Sequence, residues 1–410
     1  MKALKRIAGI AMAMTMACST FTTLSAAAYS EEALSTAYVT ASEATADSKN
    51  LLDDVVASSG YKTKYTTRYA YKKLTSSEKK LYQRIYNAAM NLNPTVSIPS
   101  GLTENQIFKV YTLVFHQEPQ LFWLGTTYNV GYEGKYIYVN YHGMGLSDIE
   151  DLQKDINKTV KSLITKAKKQ TTTYSKLKIF YDYIILNNEF VQDNSGLNST
   201  VYNAFKKGEP LQCAGYAKAI QYLCDISGIK SMVVQGTNEK GDSHAWNIVY
   251  CANGYYHLDA TWGDPINDFD EKYIQYEHFL VPDKWIKNYT HFNINEVARA
   301  NGDTVKLFTP PSCTKTTYNY FVKNKKNYSS ASAAYSALKS QMKTAVKNGT
   351  SVVEVRVTSK NLYTSLTGNT YAAKLSKYAK SLSKDVEKIK VHKTSTKGSY
   401  IVHYDIVYKD

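Results

Sequence analysis

The sequence predicts an α+β protein. A helix that begins at a cysteine packs on an antiparallel sheet carrying a histidine and an aspartate, with a helical extension before it and a small basic α+β unit after it. Three observations predict this. Residues 211–262 set one helical pattern, Ala214 to Ile226, ahead of three strand-like runs. Capping signals and helical spacing dominate residues 75–187. Beyond Pro310-Pro311 the pattern resets, and helices and strands alternate again. Hydrophobic content of 43% against 21% charged suffices for buried cores, and 410 residues suit two or three domains.

The elements follow in chain order. Lys2, Lys5 and Arg6 precede an acid-free apolar run, Ile7 to Cys18, and Ala26-Ala27-Ala28 stands before Tyr29. That is the layout of a secretory signal peptide, so residues 1–28 are expected to be removed and the mature chain exported or held at the cell surface. Lipoprotein processing at Cys18 is the weaker alternative, because Thr15 stands where a lipobox has Leu. No later run of ~20 apolar residues predicts a membrane-spanning helix. Residues 29–74 are Ala, Ser, Thr, Lys and Tyr with few bulky aliphatics and are expected to be a disordered leader.

The catalytic region is expected over 75–309. Thr75-Ser76-Ser77-Glu78 is a capping box, and Leu81, Ile85 and Ala88–Ala89 continue a helix from it. A second helix is expected over Thr103 to Phe115. Leu121 to Tyr141, aromatic and β-branched and broken at Glu133-Gly134, reads as a hairpin. Helices follow at Ser147 to Lys169, capped by Ser147 and Asp148, and at Tyr174 to Asn187. The helix after Cys213 gathers Ala217, Ile220, Leu223 and Cys224 on one face and stops at Ser227-Gly228. Ser231 to Gly236 is a strand. His244 to Cys251 and Tyr255 to Trp262 form a hairpin about Asn253-Gly254. Residues 263–309 read as loops and short helices. A linker, 310–317, leads to a basic domain, 318–410: strand (Tyr318 to Val322), helix (Ser330 to Val346), strand (Ser351 to Thr358), helix (Tyr371 to Leu382) and two strands (Val386 to His392, Ser399 to Val407).

Charge is uneven. The chain carries 50 basic and 35 acidic residues, a net +15, and only 5 of the basic residues are Arg. Base readers lean on the planar guanidinium fork, so a Lys-dominated field argues against nucleic acid. Residues 311–410 hold 18 basic and 5 acidic residues, so the basicity belongs to the C-terminal domain. Lys339, Lys343 and Lys347 recur on one helix there and Lys374, Lys377, Lys380 and Lys384 on another. Such faces are usually solvated. Here they also suit an anionic partner such as a cell-wall polymer.

A thiol nucleophile needs a lowered pKa, a base and a group that orients the base. Cys213 at a helix start gains the first from the helix dipole. His244 and Asp259 on the next strands suit the other two roles. Register is the difficulty: a two-residue Asn253-Gly254 turn sets Asp259 across from Ile248, on the same face as His244 but four residues away, about 13 Å. A register change is needed for contact. The competing reading is a buried Cys, a satisfied His and a strand-end Asp.

Gln212-Cys213-Ala214-Gly215-Tyr216-Ala217, His244-Ala245-Trp246-Asn247-Ile248-Val249 and Tyr256-His257-Leu258-Asp259-Ala260-Thr261-Trp262 with Asp264-Pro265 resemble the Cys, His and Asp motifs of the transglutaminase-like superfamily. The bacterial secreted branch, related to the transglutaminase-like domain of cytokinesis proteins, is the nearest resemblance. It covers about 75–309, including the less specific stretches Glu118 to Trp123 and Tyr276 to Leu280, and leaves out the C-terminal domain. Glu209-Pro210-Leu211-Gln212 departs from the small or β-branched residues expected before the Cys, which bears on the cleft wall. The resemblance implies a papain-like core with Cys213 as nucleophile, His244 as general acid/base and Asp259 as the orienting carboxylate. The oxyanion would be held by the Cys213 N–H plus Gln212 or Tyr202. Trp246 and Trp262 flank His and Asp, as core aromatics or as shields of the ion pair.

The same triad serves a protease or amidase, a deamidase or a transglutaminase, and hydrolysis of a peptide or isopeptide bond is the favoured expectation. A non-catalytic surface protein on the same scaffold is the alternative, and glycoprotein amidase activity a third that nothing in the sequence favours. The substrate is expected to be a protein or peptide. No cofactor, metal or nucleotide is expected: Gly-rich phosphate loops and zinc-type Cys/His spacings are absent, and His257 reads as a strand residue. Cys224 and Cys251 read as buried thiols ahead of a disulfide.

Overall fold

The computed structural model describes residues 49–131, 134–193, 196–264, 273–393 and 400–409. The expected signal segment, Cys18 and the leader up to residue 48 lie outside the described residues.

The helix Cys213–Ile226 is the centre of the larger core. It is buried from Cys213 to Cys224. A four-stranded antiparallel sheet packs on it, in the order Ser231–Thr237, Ser243–Cys251, Gly254–Leu258, Phe279–Val281. Helices Leu146–Lys168, Thr173–Asn187 and Val201–Phe205 cover the helix's remaining sides. The sequence pattern holds for Ser76–Met90, whose capping box forms at Thr75 and Glu78, and for Glu104–Gln117, capped by Thr103 and Gln106. The helix expected from Ser147 starts one residue earlier. Gly145 is its cap residue, and its N–H donates to Asp148 at 2.8 Å.

Residues 49–74 depart from the disordered leader expected there. Leu52, Tyr61 and Ala70 are buried. The physical reason is a polar hub that composition does not reveal. Arg68 is buried and donates to Asp225 at 2.7 Å and to Glu118 at 3.3 Å. The Tyr61 hydroxyl donates to Asp225 at 2.9 Å, and Tyr82 to Glu118 at 2.6 Å. The Glu118 stretch thus ties the N-terminal segment to the far end of the Cys213 helix.

In the C-terminal region a second apolar cluster forms around Val353, Val355, Val402 and Tyr404. Its sheet runs Asn327–Tyr328, Val352–Val357, Ile401–Tyr408, Val386–Lys393, with the first pair parallel. Helices Ala331–Asn348, Lys360–Leu366 and Asn369–Leu382 lie on the apolar face. The strand expected at Tyr318 to Val322 is instead a short helix, Tyr320–Lys323, because the Asn319 side chain accepts from the Phe321 and Val322 N–H groups and caps it. The sheet's other face is polar and meets the larger core. Tyr273 donates to Glu354 at 2.5 Å, and the Arg356 guanidinium lies 3.8 Å over the Trp285 ring. Cys313 is buried and bound through its backbone to Asp283 in both directions.

Candidate active site

Cys213 is the first residue of its helix, with Gln212 in extended conformation before it. The helix N-terminus favours a thiolate there. Gly215 lets this first turn sit against the preceding loop, since a Cβ would fall 2.4 Å from Leu211 Cδ1 and 2.6 Å from the Asn198 carbonyl. Cys213 packs with Ala214, Ala217, Val233 and Ala245. Ala245 is the strand neighbour of His244. The Tyr216 hydroxyl of the Cys motif donates to Asp264 of the Asp motif.

The register problem resolves at the turn. Cys251 pairs with Gly254, so the two turn residues are Ala252 and Asn253, one residue earlier than expected. Ala252 adopts φ +52°. Every pair along the ladder shifts by two, which preserves the face and sets Asp259 level with Trp246. The strand ladder ends at Leu258, where a bulge intervenes against Phe279–Val281. His244 and Asp259 are then diagonal neighbours, within side-chain reach.

They touch. His244 Nε2–H donates to Asp259 Oδ2 at 2.6 Å, and both side chains are at most 2% exposed. A carboxylate only accepts, so the proton sits on Nε2. Nδ1 of His244 is buried without a hydrogen-bond partner among the described residues. Asp259 Oδ2 also accepts from His291 Nε2–H at 2.9 Å, and Oδ1 accepts from the Trp262 backbone N–H at 3.2 Å. Burial alone raises the Asp259 carboxyl, but the His244 and His291 rings outweigh it and hold Asp259 well below the usual carboxylate range. Burial pushes His291 down to about 4 against the pull of Asp259. The neutral ring accepts from Thr290 Oγ1 at 2.7 Å through Nδ1.

Trp246 stacks on His244 at 5.7 Å between ring centroids, and Trp262 tilts against it at 6.1 Å. Trp246 is buried and its Nε1–H donates to His257 Nδ1 at 3.0 Å. Both tryptophans therefore pack against the His244 ring. Tyr202 sits on the helix Val201–Phe205, stacked on Phe122 at 6.4 Å with Lys206 over its ring. Gln212 adjoins Cys213 and is buried. The thiols of Cys224, Cys251 and Cys313 are buried and not disulfide-bonded.

His291 is the site residue that sequence reading missed. It lies in Tyr289-Thr290-His291-Phe292, with no motif spacing to the triad. It arrives because Phe292 pairs with Thr237 across the edge of the sheet. Gly236 has no side chain there, and a Cβ would fall 2.4 Å from the Phe292 carbonyl.

Among the described residues, three groups bring potential metal-ligand atoms within 4.8 Å of one another inside each group: His244, Asp259 and His291; His257, Asp283 and Cys313; His392, His403 and Asp405. The first is tied up by the bonds above. In the second, His257 Nδ1 accepts from Trp246, so Nε2–H donates to Asp283 at 2.8 Å, and burial pushes the Cys313 thiol up.

A family model described as the transglutaminase-like superfamily matches residues 159–260, which hold Cys213, His244 and Asp259. Residues 159–260 are a transglutaminase-like domain. The kyphoscoliosis peptidase of Homo sapiens is 33% identical over 67 residues, covering 14% of this chain and 10% of that protein. The chain thus spans about a tenth of that relative's length. Among solved structures, a TGase matches with 19% identity over 43% of this chain and 53% of its own, at a TM-score of 0.26. The periplasmic domain of TgpA from Pseudomonas aeruginosa matches with 15% identity over 31% and 53%, at a TM-score of 0.22. Within the transglutaminase-like domain the fold is mixed α+β, with the Cys helix against the antiparallel sheet. Among the described residues no helix is long and apolar enough to cross a membrane.

Proposed function

We propose that this chain is a thiol enzyme acting on peptide or isopeptide amides through Cys213, His244 and Asp259, with hydrolysis the favoured outcome. One observation carries the reading. Asp259 holds His244 through Nε2 at 2.6 Å, and Nδ1 is left buried and unpartnered on the strand that packs on Cys213. That is the tautomer a general base needs.

Cys213 Sγ gives its proton to His244 Nδ1 and attacks the amide carbonyl carbon. The Cys213 N–H, with Gln212 or Tyr202 as second donor, stabilises the oxyanion. The C–N bond breaks, His244 protonates the departing amine and a thioester remains. Water, deprotonated by His244, then cleaves the thioester to a carboxylic acid and restores the thiol. A primary amine in place of water gives a new amide, which is transamidation. His291 is a positioning residue in this reading, since it shares the Asp259 oxygen that orients His244.

The same reading has the chain exported, with residues 318–410 retaining it on an anionic surface such as a cell-wall polymer. The net +13 of residues 311–410 and the exposed Lys343, Lys347, Lys374 and Lys377 support this. Deleting 311–410 is expected to abolish salt-sensitive retention, and retention that survives the deletion refutes it.

The deciding experiment incubates candidate proteins and wall peptides with enzyme, with and without a primary amine, and reads the products by mass spectrometry. Cleavage, deamidation and cross-linking give distinct mass changes. Cys213→Ala is expected to abolish all of them, and turnover above background in that variant removes Cys213 as nucleophile.

A further inference from the structure

We propose that His392, His403 and Asp405 form a binding site for a divalent transition-metal ion of the zinc class, separate from the catalytic groups. The spacing in sequence matches no zinc pattern, which is why composition and motif reading expect no metal. Sheet register builds the site instead. His392 on Val386–Lys393 pairs directly with His403 on Ile401–Tyr408. Opposite residues of an antiparallel pair hold their Cβ atoms about 4.5–5.5 Å apart. Asp405 is two residues beyond His403 and so shares its face.

All three side chains converge. His403 Nε2 meets Asp405 Oδ1 at 3.0 Å, and His392 Nε2 meets Asp405 Oδ2. The ligand atoms all lie within 4.8 Å of one another. Ligands of a tetrahedral zinc ion, each about 2.0–2.2 Å from the metal, stand roughly 3.3 Å apart. Small rotations of the rings therefore admit the ion between them.

Access distinguishes this group from the one at His244, Asp259 and His291. The side chains of His392 and Asp405 keep 21% and 12% of their exposure, while His244, Asp259 and His291 keep at most 2%. Two imidazoles and one carboxylate leave a fourth position for water. Neutral nitrogens with one carboxylate oxygen suit Zn²⁺, and Cu²⁺ or Ni²⁺ by the same donor set. Packing fixes the inner ligand: the Tyr273 ring stands edge-on to His403 at 5.0 Å, and its hydroxyl holds Glu354, the residue paired with His403 on the neighbouring strand. A bound ion would clasp the edge strand Val386–Lys393 to its neighbour.

The test uses the full-length untagged chain, stripped with chelator, dialysed and titrated with Zn²⁺ by calorimetry, with Co²⁺ absorption as a second readout. One ion per chain is expected. His392→Ala lies on an edge strand and is expected to fold as wild type by circular dichroism without metal. It should lose more affinity than the ~10–100-fold typical of removing an outer partner. Asp405→Asn should do the same. Cys213→Ala, which leaves all three ligands in place, should bind as wild type. Should His392→Ala misfold, His392→Gln serves in its place. Failure of stoichiometric binding overturns the proposal, as does binding that survives both ligand variants or is lost in Cys213→Ala.

Discussion

Replacing Asp259 with Asn isolates the orienting role from the fold. Among the described residues the Asp259 carboxylate accepts three hydrogen bonds: two at Oδ2, from His244 at 2.6 Å and His291 at 2.9 Å, and one at Oδ1, from the Trp262 N–H at 3.2 Å. An amide has one accepting oxygen. If that oxygen faces the two rings, the NH₂ meets the Trp262 N–H, donor against donor, at a cost of about 1–3 kcal/mol. If it faces Trp262, the NH₂ meets two ring N–H groups, and His244 must move its proton to Nδ1, the nitrogen the thiol needs. The corresponding exchange in a serine triad costs ~10⁴ in turnover through the wrong tautomer. Alkylation by iodoacetamide, mapped to Cys213 by mass spectrometry, reads the effect without a known substrate. At pH 5 an ordinary thiol of pKa ~8.5 is about 0.03% thiolate, whereas a His-paired thiol near pKa ~4 is almost fully ionised. Lower intrinsic nucleophilicity of the paired thiolate returns about 100-fold of that difference. Asp259→Asn is thus expected to react up to ~30-fold more slowly at pH 5 and to overtake the wild type above neutrality. Burial pushes Cys251 up to about 12 and raises Cys224 and Cys313 too, so these thiols contribute little signal. Superimposable pH profiles for wild type and variant would refute the pairing of Cys213 with His244.

Arg68→Ala strands Glu118 and Asp225 in the interior, where burial raises Asp225 to about 6 even beside the guanidinium. The loss expected in urea unfolding is about 3–5 kcal/mol, and a loss below ~1 kcal/mol would remove the hub from its anchoring role. Gly263→Ala puts a Cβ 2.0 Å from the Tyr181 hydroxyl and 2.7 Å from Ile185 Cδ1, so a loss of about 1–3 kcal/mol is expected, and an unchanged melting midpoint contradicts the packing. His291 titrates near 4 in the folded chain and near ~6.5 unfolded, so its contribution is complete above pH ~6.5 and is lost as pH falls toward 4. His291→Gln should flatten the fall in stability over that window by up to about 3 kcal/mol, with His257 and His278 keeping a residual slope of the same sign.

The helix at Cys213, the strand at His244, the strand that ends at Leu258 just before Asp259 and the α+β pattern of the basic C-terminal residues were legible because each is written in local pattern and local chemistry. The contact between His244 and Asp259 was not, because it depends on the turn. Asn253-Gly254 is the stronger turn signal, yet the chain turns at Ala252-Asn253, and two residues of register bring the carboxylate into reach. His291 was illegible for a different reason: it enters through a loop laid across the sheet edge, and no periodicity reports such a crossing. Arg68 was hidden by composition. A segment poor in aliphatics orders when one buried guanidinium finds two carboxylates and a tyrosine, and the two carboxylates are 50 and 157 residues away in sequence.

The segment expected to be a linker is coupled to the site by a chain of bonds that predicts more than stability. Asp283 Oδ1 accepts from His257 Nε2–H at 2.8 Å, and Oδ2 accepts from the Cys313 N–H at 2.9 Å. His257 cannot reverse its tautomer, since its Nδ1 already accepts from Trp246 Nε1–H at 3.0 Å. Asp283→Asn must therefore set its NH₂ against one N–H group, at about 1–3 kcal/mol. Where His257 yields, the strain passes to Trp246, whose ring lies 16° from parallel with His244. If that stack helps hold the imidazole, Asp283→Asn and Asp259→Asn should not add. A double-mutant cycle on Cys213 alkylation at pH 5 is expected to give a coupling beyond ~0.5 kcal/mol, the threshold for residues that share a partner. Additivity within that margin would mean that Asp283 and Cys313 only fasten the chain, and that His244 is held by Asp259 alone.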